Sequence, residues 1–63
     1  MLTKEVIDEI IEEINAEIKQ CKAKVNACKQ SNNLNKVVYF NGIISGLESA
    51  KVIINENIGS DQE

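Results

Sequence analysis

From Ile7 onward the apolar residues of the first half of the chain fall at 7, 11, 14, 18, 21, 25 and 28, in alternating steps of four and three. That is a heptad seam on a helix, with Ile7, Ile14, Cys21 and Cys28 in one column and Ile11, Ile18 and Val25 in the other. Val6 and Ile10 widen the stripe at its start. Thr3 is placed to cap the N-terminus, Glu5 to complement the helix dipole, and Leu2 to staple against Ile7. The spacing predicts a helix over about residues 3–30. The run QSNNLNK then gathers residues that favour caps and turns, and Leu34 is expected to tuck back onto the ends of both helices. A second helix follows from near Asn33 or Asn35 to Ile58, with Gly59 as its stop and residues 59–63 as a frayed tail. A connection this short, about residues 31–35, makes the helices antiparallel neighbours. Residues 1–63 therefore read as a single all-α domain, an antiparallel helical hairpin.

The second helix carries a broader apolar pattern. At 100° per residue, Phe40, Ile43, Ile44, Leu47, Ile54 and Ile58 form one sector, and Tyr39, Gly42, Gly46, Ala50 and Ile53 extend it sideways to an arc of about 200°. One neighbouring helix needs a stripe of only ~100°. Gly42 and Gly46 each cost roughly 1 kcal/mol relative to alanine inside a helix. A shallow notch that lets two backbones approach closely can offset that cost. On this reading the large residues meet the first helix of the same chain, and the glycine flank receives a helix from another copy. The alternative is that the notch makes room for an intrachain side chain such as Ile14 or Ile18. Isoleucine in both columns of the first seam disfavours a parallel two-stranded coiled coil and favours three- or four-helix assemblies. The expected assembly is a homodimeric four-helix bundle, with Ile7, Ile11, Ile14, Ile18, Gly42, Gly46 and Ile53 at the oligomer interface.

Size strengthens the case for association. A chain of 63 residues makes one small domain, which buries only about 60% of the surface its unfolded chain exposes. Such domains usually draw on disulfides, a metal or other chains. Cys21 and Cys28 lie about 10 Å apart along a helix axis, too far for an intramolecular bridge. With no histidine and no pair of CxxC motifs, a structural zinc site is not expected.

Charge is divided along the chain. Glu5, Asp8, Glu9, Glu12, Glu13 and Glu17 occupy the first third with only Lys4 among them, and Lys19, Lys22, Lys24, Lys29 and Lys36 follow with no acid between. The helix dipole favours this polarity. The acids nevertheless repel one another at four-residue spacing, and no glutamate here has a lysine four positions on, so compensation is sought on another chain. Antiparallel first helices from two copies would set acid against base. Alternatively, the ridge of Glu5, Asp8, Glu9, Glu12 and Glu13 docks on a basic surface of another protein, or is simply solvated. Tyr39, beside Val37, Val38 and Val52 outside the main stripe, marks a second candidate contact patch near one end of the bundle.

The residue types bound the chemistry. A net charge of −3, one Tyr, one Phe and no Arg disfavour nucleic-acid binding. Without histidine a cysteine nucleophile lacks its usual base, the Glu-x-x-His pairs of a di-iron bundle cannot be built, and no Gly-rich loop precedes a helix. No catalytic, cofactor-binding or metal-binding residue is therefore assigned, and no enzyme activity is expected. Whether Cys21 and Cys28 have a redox role is left open. The start of the chain lacks a signal-peptide pattern, and Asn41, Ser45, Glu48, Ser49 and Lys51 interrupt the most apolar stretch. No membrane span is expected, and the cytoplasm is the expected compartment.

The stretch YFNGIISGLESAKVI, residues 39–53, resembles a Tyr-x-x-Gly-x-x-x-Gly-Leu-x-x-Ala pattern found in short orphan helical proteins of phages and mobile elements from low-GC Gram-positive bacteria. The lysine-only, Ile- and Asn-rich composition suits such a source. The resemblance implies a small accessory protein of the kind that binds and inhibits a host protein. Together with the hairpin, it gives an expectation of a non-enzymatic protein–protein interaction module that pairs with itself and engages a host protein. The alternative is an assembly module whose hairpin only joins copies of itself or a larger complex.

Overall fold

The computed structural model describes residues 3–61, with side-chain surroundings for 3–57. Two helices account for nearly all of it: α1, Lys4–Gln30, and α2, Leu34–Asp61. They lie side by side as an antiparallel hairpin measuring 48 × 16 × 14 Å. The expectations for Leu2, the Ile58 side chain and the last two residues lie outside the described residues.

α1 begins where the sequence places its cap. Thr3 is extended, and its Oγ1 accepts a 3.2 Å hydrogen bond from the Val6 N–H. This satisfies one of the donors that the first turn of a helix leaves unpaired. At the other end the chain turns in three residues. Ser31 caps α1, its hydroxyl donating to the carbonyls of Ala27 and Cys28 at 3.2 Å each. Asn32 then enters the left-handed region at φ 59°. Its N–H reaches the Lys29 carbonyl at 3.2 Å, while that of Asn33 reaches Cys28 at 2.8 Å. This pair of bonds is the Schellman arrangement, here built on asparagine rather than the commoner glycine. Asn33 in turn caps α2, its Oδ1 accepting from the Lys36 N–H at 3.4 Å. One tripeptide thus ends one helix and starts the next.

Two boundary expectations need correction. Gly59 does not stop α2, which continues to Asp61. The glycine stop requires a left-handed backbone, and no described glycine has positive φ. Leu34 does not tuck back onto the helix ends: as the first residue of α2 it is 67% exposed.

The core is small and lies toward the turn. Ile18, Cys21 and Val25 of α1 and Val37 of α2 are buried. Ile7, Ile10, Ile11, Ile14 and Cys28 on α1 are half-buried, as are Phe40, Ile43, Ile44, Leu47, Ala50, Lys51 and Ile54 on α2. No described side chain is sealed completely from solvent. The chain exposes 5035 Å², whereas a compact monomer of 7.0 kDa exposes about 4,000 Å² by area–mass scaling. A single hairpin leaves about 1,000 Å² that a rounder domain would have covered.

A candidate interaction surface on the outer flank of α2

The side of α2 that meets α1 is set by the half-buried and buried positions 37, 40, 44, 47, 51 and 54. Their steps of three and four make a heptad seam that the apolar wheel does not single out, because Lys51 sits within it and apolar residues surround it on both sides. Val37 belongs to this seam at 9% exposure, not to an outer patch as the wheel suggests. Val38 and Val52 are exposed.

A second series, Tyr39, Gly42, Gly46, Ser49 and Ile53, runs along α2 in the same three-four rhythm and faces outward, every member exposed. Tyr39 retains 64% and Ile53 59% of their surface. A Cβ placed on Gly42 or Gly46 would find no atom of the hairpin within 4 Å. This overturns the alternative in which the glycines admit Ile14 or Ile18. The notch is open, with large apolar residues at both ends and small residues between.

Of the residues expected at an oligomer interface, the structure brings Gly42, Gly46 and Ile53 together on this flank. Ile18 is not available there, because the hairpin's own core takes it up, at 7% exposure. Ile7, Ile11 and Ile14 are half-buried along the seam toward the open end. The isoleucines of α1 and the glycine flank of α2 therefore belong to two surfaces that the hairpin separates. Ser49 is the one flank residue it passed over, and its position between Gly46 and Ile53 was the available signal.

At the turn end, Tyr39 meets Phe40 edge to face, ring centroids 5.2 Å apart, and Lys24 of α1 holds its Nζ 5.5 Å from the Phe40 centroid. Phe40 is thereby tied to α1 while Tyr39 faces solvent. The carboxylates Glu5, Asp8, Glu9, Glu12, Glu13 and Glu17 are all exposed, and among the described residues none of them is held in an ion pair. Both cysteines are free thiols, Cys21 buried and Cys28 half-buried. No group of three metal-ligating side chains comes together among the described residues.

The 24-residue segment Leu34–Asn57 of α2 is long and apolar enough to cross a membrane, by length and composition alone. Asn41, Ser45 and Ser49 interrupt the stretch without adding charge, and Glu48 and Lys51 are the only charged residues between Val37 and Ile54.

No protein-family model, curated protein or solved structure matches the chain.

Proposed function

We propose that this chain is a non-enzymatic protein–protein interaction module: a hairpin that pairs with a second copy through the outer flank of α2, giving a four-helix assembly with the two α2 helices at its centre. The observation that carries this reading is the uncovered series Tyr39, Gly42, Gly46, Ser49 and Ile53, with open space over both glycines. The surface left by a lone hairpin, about 1,000 Å² beyond that of a compact monomer, is close to the roughly 800 Å² that each partner gives to a standard interface.

A specific observation supports a further role in the same class. The ridge of Glu5, Asp8, Glu9, Glu12 and Glu13 is exposed and, among the described residues, not neutralised by any lysine of its own chain. A basic surface on a host protein fits it, and binding there would block that protein. This is the inhibitory accessory role that the phage-type resemblance implies.

The test combines light scattering at micromolar concentration with capture of interacting proteins. The module reading expects a dimer mass. Reversing Glu5, Glu9, Glu12 and Glu13 to lysine separates the two roles: loss of a captured basic protein with the dimer intact supports the inhibitor, and loss of the dimer alone supports pure assembly. A sharply melting monomer that captures nothing defeats both.

A further inference from the structure

We infer that the turn end of the hairpin is a docking surface for an anionic lipid membrane, which it meets tip first. The inference does not rest on self-pairing: Leu34 and Val38, which carry it, lie outside the flank that runs from Tyr39 to Ile53.

Charge is the first observation. Lys19, Lys22, Lys24, Lys29 and Lys36 are the only charged residues from Ile18 to Leu47, so the half of the rod nearer the turn is positive although the chain carries −3 overall. The nearest acids, Glu17 on α1 and Glu48 on α2, stand about 20 Å from the helix ends that flank the turn, at about 1.5 Å per residue. That is more than twice the ~8 Å over which physiological salt screens a charge. An anionic surface at the tip therefore feels the lysines and not the acids. Lys29 and Lys36 lie closest, in the last turn of α1 and the first turn of α2.

Apolar surface is the second observation. Leu34 opens α2 and Val38 follows one turn later on the same side. They keep 67% and 72% of their surface, more than any other large apolar residue among those described. The turn beside them presents paired backbone: the N–H groups of Ser31, Asn32 and Asn33 all bond to carbonyls of α1, and the Lys36 N–H bonds to the Asn33 side chain. The tip thus enters a headgroup layer without stripping water from these donors.

A charged bilayer surface matches both features, because lysines meet its phosphates and carboxylates while apolar side chains reach the acyl boundary. The phosphates of a nucleic acid would meet the lysines but leave Leu34 and Val38 in water. The acidic half of another copy would do the same, since its outward residues are carboxylates.

Vesicle binding tests the tip. The full chain is sedimented with phosphatidylcholine vesicles, either pure or containing about 30% phosphatidylserine. Binding is expected to the mixed vesicles, far less to the pure ones, and none at high salt. Lys29→Gln and Lys36→Gln should each weaken it about fivefold, the effect of one basic residue at such a surface. Leu34→Ser with Val38→Ser should weaken it further at unchanged helicity. Leu34→Trp supplies the only tryptophan of the chain, and its emission should shift to the blue on the mixed vesicles. No binding to the mixed vesicles, equal binding to both kinds, or an unshifted emission in the bound state overturns the inference. Capture of a single-stranded oligonucleotide in place of the vesicles, undiminished by Leu34→Ser with Val38→Ser, assigns the tip to nucleic acid and also overturns it. Light scattering without lipid reads self-pairing separately, so either reading fails without the other.

Discussion

Lys24 and Phe40 meet across the hairpin, with the ammonium 5.5 Å from the centre of the ring. The residues come from different helices, so their pairing reports how α1 and α2 are aligned. Lys24→Met keeps the apolar stem and removes the charge, and the expected loss is about 0.5–1 kcal/mol. Phe40→Leu removes the ring from both Lys24 and Tyr39, and combining it with Lys24→Met should cost less than the sum of the two. Urea midpoints of the four species measure this directly.

Asn32 provides a backbone test. At φ 59° it occupies a conformation that costs an L-residue with a Cβ about 1–2 kcal/mol, less for asparagine and least for glycine. Asn32→Gly should hold or raise the melting temperature. Asn32→Ala should lower stability by about 1 kcal/mol without changing the fold, judged by unchanged helicity before melting.

Adjacent valines should behave differently. Val37 is buried and Val38 exposed, so Val37→Ala removes about two buried carbons and roughly 1.5 kcal/mol. Val38→Ala should fall within about 0.5 kcal/mol of zero and can be stabilising, because alanine is the better helix former. Equal losses at the two positions would place the inner face of α2 wrongly.

The glycines make the sharpest prediction, because stability and association move in opposite directions. No atom of the hairpin lies near a Cβ at either site, so Gly42→Ala and Gly46→Ala should each raise helix stability by up to about 1 kcal/mol. Gly46→Leu should retain helicity yet lose the dimer, because its side chain fills the notch that the second helix needs. Light scattering and circular dichroism on the same samples separate the effects; an unchanged dimer with Gly46→Leu would count against the glycine contact.

Much of this fold is legible in the residues. The seam from Ile7 to Cys28, the Thr3 cap and the turn at Ser31–Asn33 are local patterns, decided within a few residues of chain, and each appears where the spacing puts it. The assignments that fail depend on the second helix. Val37 and Leu34 sit in a segment that is apolar on nearly every side, so a wheel drawn on α2 alone cannot say which direction α1 occupies. Gly59 could have ended a helix only by taking a backbone conformation that its neighbours do not impose. The outer flank was readable in part: Gly42, Gly46, Ile53 and Tyr39 are found together, whereas Ile18 could be removed from that surface only once the register was known.

All four of the most sheltered side chains, Ile18, Cys21, Val25 and Val37, lie in the stretch running from the middle of the rod to its bend. Residues 25 and 37 are also close in sequence, so packing the two helices at this end closes only a short loop. The hairpin should zip up from the bend and breathe at its tips. In deuterium exchange, amides around Val25 and Phe40 should resist longest, while those near Glu9 and Asn55 open first.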